Sequence, residues 1–152
     1  MGTLESAFLG TLCIELAESH MVGETPRGRL RVDVFKGGSL KGPRINAKIL
    51  AGGSDSLIGT ADGAVRPDVR LTLETDDGAL IYVHYRGVRH ASAEVMQRLA
   101  QEEAVDPSGY YLRNAPFFET ASEKYDWLNR IVAVGVGRRE PGRAVYELYE
   151  IL

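Results

Sequence analysis

Residues 68–86 read DVRLTLETDDGALIYVHYR, and this stretch decides the fold. Apolar and polar side chains alternate along both of its halves, which is the period-two pattern of a half-buried β-strand. The connecting residues 75–79, TDDGA, suit a type I turn followed by Gly78 in the left-handed region, which makes a bulged hairpin loop. The sequence therefore predicts a β-hairpin whose turn contains Gly78.

The register of this hairpin follows from its side chains. The bulged loop places these pairs opposite each other: Thr75 and Ala79, Leu73 and Ile81, Leu71 and Val83, Val69 and Tyr85. One face is then apolar apart from a tyrosine hydroxyl, and the other carries Asp68, Arg70, Thr72, Glu74, Tyr82, His84 and Arg86. A two-residue turn would pair Leu71 with His84 and mix the faces, so cross-strand consistency favours the bulged register.

The same alternation recurs along most of the chain. It predicts further strands at residues 8–16, 30–35, 44–50, 110–114, 131–138 and 144–151, and residues 117–120 either continue the strand at 110–114 or form a separate one. Glycine pairs at 37–38 and 52–53 are expected to end two of them. Residues 140–142, Glu-Pro-Gly, suit a type II turn between the last two strands.

One short helix is predicted among the strands. Ser92 can cap its N-terminus, and apolar side chains at i, i+4 spacing follow it. The helix is expected to end before Pro107, because the residue before a proline avoids the helical region. Ser122 is expected to cap a further short turn at residues 123–128.

We therefore predict an all-β fold with residues 1–152 in a single domain. Its architecture is expected to be a closed antiparallel β-barrel of about eight to ten strands with one short helix. A chain of 152 residues can bury a core without a disulfide or metal. The final strand has no polar tail and is expected to pair on both sides, which favours closure.

Composition limits the choice of partners. Eighteen basic and 21 acidic residues give a net charge of −3, which argues against nucleic acid as the main partner. The lone Cys13 cannot form an intrachain disulfide and suits a reducing compartment. No apolar run approaches the ~20 residues of a membrane span, and residues 1–16 lack the pattern of a signal peptide. We expect a cytoplasmic protein that has no membrane partner.

Several catalytic motifs are absent from the sequence. Three histidines and one cysteine provide no zinc-ligand spacing. Residues 52–56, GGSDS, lack the final glycine of a nucleophile elbow. Residues 135–137, GVG, lack the third glycine of a dinucleotide fingerprint, and there is no P-loop. Neither a metal nor a cofactor is expected.

A set of short blocks remains. They are GPRINA at 42–47, DG at 62–63, DVRLTLET at 68–75, FET at 118–120, KYDWLN at 124–129 and VGVGR at 134–138. In this order the chain resembles the family called domain of unknown function 3237, or uncharacterised protein family 0311, over residues 8–151. The FET and Tyr-x-Trp-Leu-Asn blocks are the most specific. The resemblance implies a small closed β-barrel, often dimeric, so a homodimer is expected. It implies no assigned activity and supplies no catalytic residues.

The polar face of the hairpin is the first candidate site. An inward orientation would bring together Asp68, Arg70, Glu74, Tyr82 and His84. Charges enclosed in a barrel must be paired or bind a ligand. Asp68 or Glu74 would then move a proton, Arg70 would hold an anionic group, and Tyr82 would line the cavity. Alternatively this face is the wet outer surface, which is usual for the polar face of antiparallel sheets.

The second candidate site combines Arg113, Glu119, Tyr125 and Trp127. Aromatic rings beside an arginine and a carboxylate suit a planar organic acid. Glu119 would move the proton and Arg113 would hold the anion. The alternative is an ion pair beside a core tryptophan.

Asp62 and Arg44 are candidate binding residues at the rim of the barrel. Asp62 precedes a predicted strand and Arg44 begins one, so the two could pair. The alternative is a structural salt bridge at the rim, which would contribute little stability.

Three functions are compatible with these patterns. The first is an enzyme without a redox cofactor that performs acid–base chemistry, such as isomerisation, cyclisation, hydration or a lyase step, on a small organic molecule that can carry an anionic group. The second is a non-catalytic barrel that binds a small molecule, and the third is a structural barrel packed solid by side chains. An enzyme requires a carboxylate with a shifted pKa inside the cavity, whereas a carrier requires an apolar cavity with about one arginine.

Overall fold

The computed structural model describes residues 2–152, in which the alternating stretches form ten β-strands. In chain order they are β1 (Ser6–Thr25), β2 (Gly28–Lys41), β3 (Asn46–Ile49), β4 (Ser54–Gly59), β5 (Val65–Arg66), β6 (Asp68–Thr75), β7 (Leu80–His90), β8 (Tyr111–Thr120), β9 (Ala133–Glu140) and β10 (Arg143–Ile151). One α-helix, α1 (Ala93–Ala100), lies between β7 and β8. Two short 3-10 helices cover Pro107–Gly109 and Asp126–Arg130.

The hairpin of β6 and β7 forms in the predicted register. Leu73 lies opposite Ile81 and Leu71 opposite Val83. The Thr75 amide donates to the Ala79 carbonyl over 2.9 Å, and Gly78 has a φ of +86°. That φ is the left-handed conformation that the bulged loop requires, and glycine adopts it without steric penalty.

The strands close into the predicted antiparallel barrel. Pairing runs from β1 through β10, β9 and β8 to β7, which pairs with both β6 and β5. Strands β6, β4 and β3 connect this half to β2, and β2 pairs with β1 to complete the ring. The final strand β10 lies between β1 and β9, as expected of a terminal strand that favours closure.

The first two strands are longer than their apolar patterns predicted. Strand β1 continues from the predicted end at residue 16 to Thr25, and its added residues are mostly exposed. Strand β2 continues through the glycine pair at 37–38, where a strand end was expected. Gly38 has a φ of +137°, and a Cβ there would lie 2.0 Å from the carbonyl oxygen of Cys13. The glycines therefore allow β2 to pass close to β1 and do not terminate it.

Strand β4 was not predicted, because its first residues are Ser-Asp-Ser and follow two glycines. It pairs with β2, β5 and β6, so its position depends on partners distant in sequence.

Strand β2 also presents the opposite face from the one that its apolar residues suggest. Asp33 and Phe35 are buried, whereas Val32 and Val34 are only half-buried.

The two ends of the barrel are covered differently. At one end, where β7 finishes, α1 packs Leu99 against the core. Ser92 accepts a hydrogen bond from the Val95 amide over 3.2 Å, which confirms the predicted cap. At the other end, next to the β6–β7 turn, lies the 3-10 helix Asp126–Arg130, whose Leu128 is buried. The N-cap residue of this 3-10 helix is Tyr125, and no side chain caps the helix. The predicted cap at Ser122 is therefore wrong. We call these the helix end and the turn end.

Among residues 2–152, no helix is both long enough and apolar enough to span a membrane.

Candidate functional site

The polar face of the β6–β7 hairpin points outward. Val69, Leu71 and Leu73 fill the core and are at most 2% exposed, whereas Arg70 and Tyr82 are exposed. Of the two orientations that the sequence left open, the structure has this face on the outer surface, so its side chains do not converge on an interior cavity. The physical reason is that the apolar face of the hairpin has more area to remove from water, so it takes the interior position.

On the outer surface, the predicted residues of this face form pairs. Asp68 Oδ1 lies 3.2 Å from His84 Nε2, and Lys48 Nζ lies 3.2 Å from a carboxylate oxygen of Glu74. Arg70 donates to the Tyr82 hydroxyl over 3.0 Å. The catalytic roles of Asp68 and Glu74 and the binding roles of Arg70 and Tyr82 stay predictions, now for the outer wall of the barrel.

The second predicted group is divided along strand β8, because Arg113 lies near the start of that strand and the other members lie toward the turn end. Arg113 lies with its guanidinium carbon 4.6 Å from the centre of the Tyr111 ring, near the start of β8. Glu119 is exposed near the finish of that strand. Their strand positions are six residues apart, or about 20 Å at the usual rise of a strand. The two side chains therefore do not form one site.

The aromatic members of that group lie in the turn end. Tyr125 is 5% exposed, and its hydroxyl donates to Asp77 over 3.3 Å. The half-buried Trp127 ring lies under the Arg44 guanidinium, whose central carbon is 3.6 Å from the ring centre. These contacts tie loops to the barrel. A ligand-binding role for Tyr125 and Trp127 stays a prediction.

Arg44 and Asp62 do not pair with each other. Arg44 Nη1 lies 3.5 Å from a carboxylate oxygen of Glu150. Asp62 accepts a hydrogen bond from Thr60 and lies 3.3 Å from Arg66. The Thr60 hydroxyl is the main cause of the lowered pKa of Asp62. Because both partners are local, Asp62 organises its own loop.

A different set of charged and phenolic side chains occupies the interior near the helix end. This interior cluster consists of Arg31, Asp33, Asp55, Tyr85, Arg89, Arg139 and Tyr146. It surrounds a partly enclosed cavity of about 30 Å³, whose other walls are mainly apolar side chains. Four sequence-distant parts of the barrel therefore contribute to one site: β2, β4, β7 and the β9–β10 hairpin.

Asp55 is the titratable group of greatest interest in this cluster. Asp55 as a whole is half-buried, but its carboxyl group is surrounded by protein. Desolvation raises its pKa from 3.8 to about 7, although a hydrogen bond of 2.9 Å from the Asp68 amide acts in the opposite direction. The Asp33 carboxylate adds to the rise. At neutral pH, Asp55 can therefore both donate and accept a proton.

Arg89 is the least satisfied cation of the cluster. It is 8% exposed, and its Nε has no hydrogen-bond partner among residues 2–152. Burial is the largest cause of its lowered pKa, followed by repulsion from Arg139 and Arg31. A guanidinium nevertheless remains charged in proteins, so Arg89 places a positive charge beside the cavity.

The other charges of the cluster are paired. Arg31 donates from Nη2 to Asp33 Oδ2 over 3.1 Å, and Asp33 also accepts from Ser19 over 2.6 Å. Arg139 donates to Glu102, in the turn after α1, over 3.2 Å. Glu102 has a φ of +59°, a backbone conformation that is uncommon for residues other than glycine. The strained turn thus holds Arg139 at the helix end.

Two tyrosines complete the cluster. Tyr85 and Tyr146 are each 2% exposed, and their rings meet edge to face with centres 5.4 Å apart. Burial raises the pKa of Tyr146 to about 12 and also raises the pKa of Tyr85 well above its ordinary value. Both hydroxyls are therefore protonated at neutral pH and can act as hydrogen-bond donors.

The sequence contained a signal for part of this cluster. Residues 81, 83 and 85 alternate on the inner face of β7, and the same period of two places Arg89 on that face. Likewise, Arg31 and Asp33 share a face with Phe35 in β2. This signal is masked in β2, because Leu30, Val32 and Val34 form an apolar set on the opposite face of the same strand. Asp55 gave no such signal, because its strand was not predicted.

A larger groove of about 550 Å³ lies on the outer wall of the barrel. Its arginines are Arg27, Arg66, Arg86 and Arg113, and Asp68 also lines it. The Arg86 side chain is 78% exposed, so water screens its charge. Charges act more strongly in a desolvated site, and we therefore place the candidate chemistry in the smaller interior cavity.

Comparison with known proteins places the chain in a family. The family described as protein of unknown function DUF3237 matches residues 3–151. The UPF0311 protein RPA1785 of Rhodopseudomonas palustris is 32% identical over 150 residues, which cover 99% of this chain and 98% of that one. Its crystal structure has a TM-score of 0.96 to this chain, with full coverage of both. A β-barrel-like protein from Acinetobacter baumannii is 37% identical with a TM-score of 0.86, covering 100% and 98% of the two chains.

One relative has a named activity. The hydroalkoxylation enzyme phnH of Penicillium herquei is 34% identical over 104 residues, which cover 68% of this chain and 54% of that protein. The family match and the full-length relatives agree with the blocks identified in the sequence. The chain belongs to the DUF3237 family, also called UPF0311.

Proposed function

We propose that this protein is an acid–base catalyst that acts on a small organic molecule at the interior cluster, with Asp55 transferring the proton. The observation that carries this proposal is a desolvated carboxyl group beside a cavity that two buried phenols and a buried guanidinium also line. An acid or base works best when its pKa lies near the working pH. The pKa of Asp55, about 7, meets that condition.

The cavity itself favours a catalyst over a carrier. A carrier of apolar molecules would need an apolar cavity with about one arginine, whereas this cavity has three arginines and two aspartates. A volume of about 30 Å³ is enough for roughly two water molecules. It would therefore admit the reacting group of a substrate, while the rest of the substrate lies outside it.

The named activity of the Penicillium relative supports a specific reaction type. Hydroalkoxylation adds the O–H of an alcohol or phenol across a C=C bond. The O–H bond and the π bond break, and a C–O and a C–H bond form. Protonated Asp55 would give its proton to the alkene carbon, and the hydroxyl oxygen would attack the neighbouring carbon. The hydroxyl proton would then return to the Asp55 carboxylate, which regenerates the catalyst.

The test is intramolecular ether formation from a panel of 2-alkenylphenols and alkenyl alcohols. Wild-type protein is expected to form cyclic ethers faster than buffer, and in D₂O the new C–H bond should carry deuterium. Asp55→Asn keeps the shape of the side chain but cannot transfer a proton, so we expect a rate about 10²–10⁴-fold lower. Asp77→Asn, at the turn end, is the matched control and should keep the wild-type rate.

Two results would contradict the proposal. One is a wild-type rate that equals the buffer rate for every substrate of the panel. The other is an Asp55→Asn variant that is folded and as fast as wild type.

A further inference from the structure

We infer that the interior cluster recognises its substrate through an anionic oxygen, a carboxylate or phenolate, which binds to the guanidinium of Arg89. This inference deepens the proposed function and rests on it for the location of the site. It assigns a substrate class and names the residue that selects it.

The first support is the environment of Arg89. Its side chain lines the cavity, is 8% exposed, and has an Nε without a hydrogen-bond partner in the part of the chain that the structure describes. Among residues 2–152, no carboxylate oxygen lies within 4.0 Å of the Arg89 guanidinium, so Arg89 forms no ion pair there. An unpaired buried charge is costly, and an anionic ligand would offset that cost.

The second support is the charge around the cavity. Arg31 is paired with Asp33, and Arg139 is paired with Glu102. Asp55 is uncharged below about pH 7. One positive charge, that of Arg89, is then left without compensation. Arg139 and Arg31 also repel it. The potential in the cavity is therefore positive and favours an anion.

The size and walls of the cavity narrow the ligand class. About 30 Å³ holds one carboxylate or one phenolate oxygen beside the Arg89 fork. Leu16, Phe35 and Leu57 also line this cavity and suit the hydrocarbon part of the ligand next to its anionic group. A small organic acid fits this combination better than a sugar, because a cavity of about 30 Å³ has no room for several hydroxyl groups.

Asp55 makes the binding depend on pH. The charged and titratable side chains around it are Arg31 and Asp33 on β2, Asp68 on β6, Tyr85 and Arg89 on β7, Arg139 on β9, and Tyr146 on β10. When Asp55 ionises, its carboxylate competes with the bound anion for Arg89. Affinity is therefore expected to fall as pH rises above about 7, the pKa of Asp55. In the Asp55→Asn variant, anion affinity should no longer depend on pH in this range, because Arg89 keeps its charge and no carboxylate forms at residue 55.

The experiment measures binding of benzoate and of 4-nitrophenolate by calorimetry and by NMR line broadening. Benzyl alcohol and nitrobenzene are the matched neutral probes. Arg89→Met removes the cation and keeps a side chain of similar length, and Arg86→Met removes an exposed arginine as the control. We expect Arg89→Met to weaken anion binding about 10- to 100-fold and Arg86→Met to leave it unchanged. A preference for benzoate alone would assign a carboxylate ligand, and a preference for 4-nitrophenolate alone would assign a phenolate.

Folding is monitored by thermal melting of each variant. If Arg89→Met does not fold, Arg89→Lys takes its place. It keeps the charge but loses the two-pronged geometry, so anion binding should weaken while the preference over neutral probes remains.

The inference and the proposed function fail in different ways. Wild-type protein that binds anions no better than neutral probes, or a folded Arg89→Met variant that binds them like wild type, would overturn the inference alone. Anion binding that depends on Arg89, in a protein that catalyses no reaction of the panel, would overturn the proposed function and leave Arg89 as the anion site.

Discussion

The two ends of the barrel each contain an aspartate whose pKa departs from its ordinary value, and they depart in opposite directions. At the turn end, hydrogen bonds from Lys124 and Thr75 lower the pKa of Asp77 to about 2. At the helix end, desolvation raises the pKa of Asp55 to about 7. Partners favour the charged form of one carboxyl group, and burial favours the neutral form of the other.

The turn end is a satisfied network. Lys124 Nζ lies 2.9 Å from Asp77, and the Asn129 side chain bonds both the amide and the carbonyl of Thr120. The Arg44 guanidinium covers Trp127. Each of these side chains has a partner within the chain, so the blocks at 118–120 and 124–129 hold the barrel end together.

At the helix end, by comparison, buried polar groups lack hydrogen-bond partners. Arg89 Nε lacks a partner among the described residues, and Asp55 accepts one backbone hydrogen bond while it faces a small cavity. Native proteins seldom leave buried polar groups unpaired, so such groups point to a functional site. The more specific sequence blocks therefore belong to the turn end, where they stabilise the fold, while the candidate chemistry lies at the helix end.

The largest expected effect concerns stability at the helix end. Because the pKa of Asp55 is higher in the folded than in the unfolded chain, folding favours the protonated form. That contribution is fully present below about pH 4 and is lost as pH rises toward 7. The Asp55→Asn variant has no carboxyl group to ionise, so it does not lose this contribution. Between pH 4 and pH 8, its free energy of unfolding should therefore rise by about 2–4 kcal/mol relative to that of the wild type. Urea unfolding of both proteins at the two pH values measures it, and equal changes in both would refute the raised pKa.

A matched pair of tyrosine variants separates the ends by function. Tyr146→Phe removes a hydroxyl beside the cavity and should slow turnover about tenfold, because one donor to the reacting group is lost. Tyr125→Phe removes the hydroxyl that bonds Asp77, so it should lower stability by about 1 kcal/mol and leave the rate unchanged. Turnover and thermal melting of both variants check this. Equal rates for the two variants would remove the functional distinction between the ends.

A smaller effect is expected for the carboxylate of the turn end. The pKa of Asp77 is lower in the folded chain, so its stabilising contribution is present above about pH 4 and is lost as pH falls toward 2. Asp77→Asn should therefore melt slightly below wild type at pH 7 and close to it at pH 2. Differential scanning calorimetry across this range tests the sign. A gap between the two proteins that widens in acid would contradict it.

The smallest effect is expected at the Arg44–Trp127 contact. The Arg44 side chain is 55% exposed, so water screens its interactions with the ring and with Glu150. Arg44→Ala should lower the free energy of unfolding by about 0.5–1 kcal/mol. Chemical denaturation measures this loss, with Arg86→Ala as the comparison variant, because Arg86 is also exposed and its charged partner is Asp68. A loss of several kcal/mol would give the contact a larger role than its exposure allows.

The sequence predicted features that local alternation and turn chemistry determine. The register of β6 and β7 followed from keeping each face uniform, and Gly78 marked the bulge. The polar interior could not be predicted in the same way. In β2, half-buried Val32 and Val34 lie outside while Asp33 is inside, because Arg31 and Ser19 satisfy its carboxylate there. Burial of Asp33 thus depends on partners that adjacent strands supply.

A titration of the aspartate side-chain carboxyl carbons by ¹³C NMR tests the contrast between the two ends most directly, with Asp55→Asn and Asp77→Asn used for assignment. We expect a midpoint near pH 7 for Asp55 and a midpoint near pH 2 for Asp77 in the same sample. An Asp55 midpoint near 3.8, the ordinary value for aspartate, would contradict the assignment of the helix end as the catalytic site.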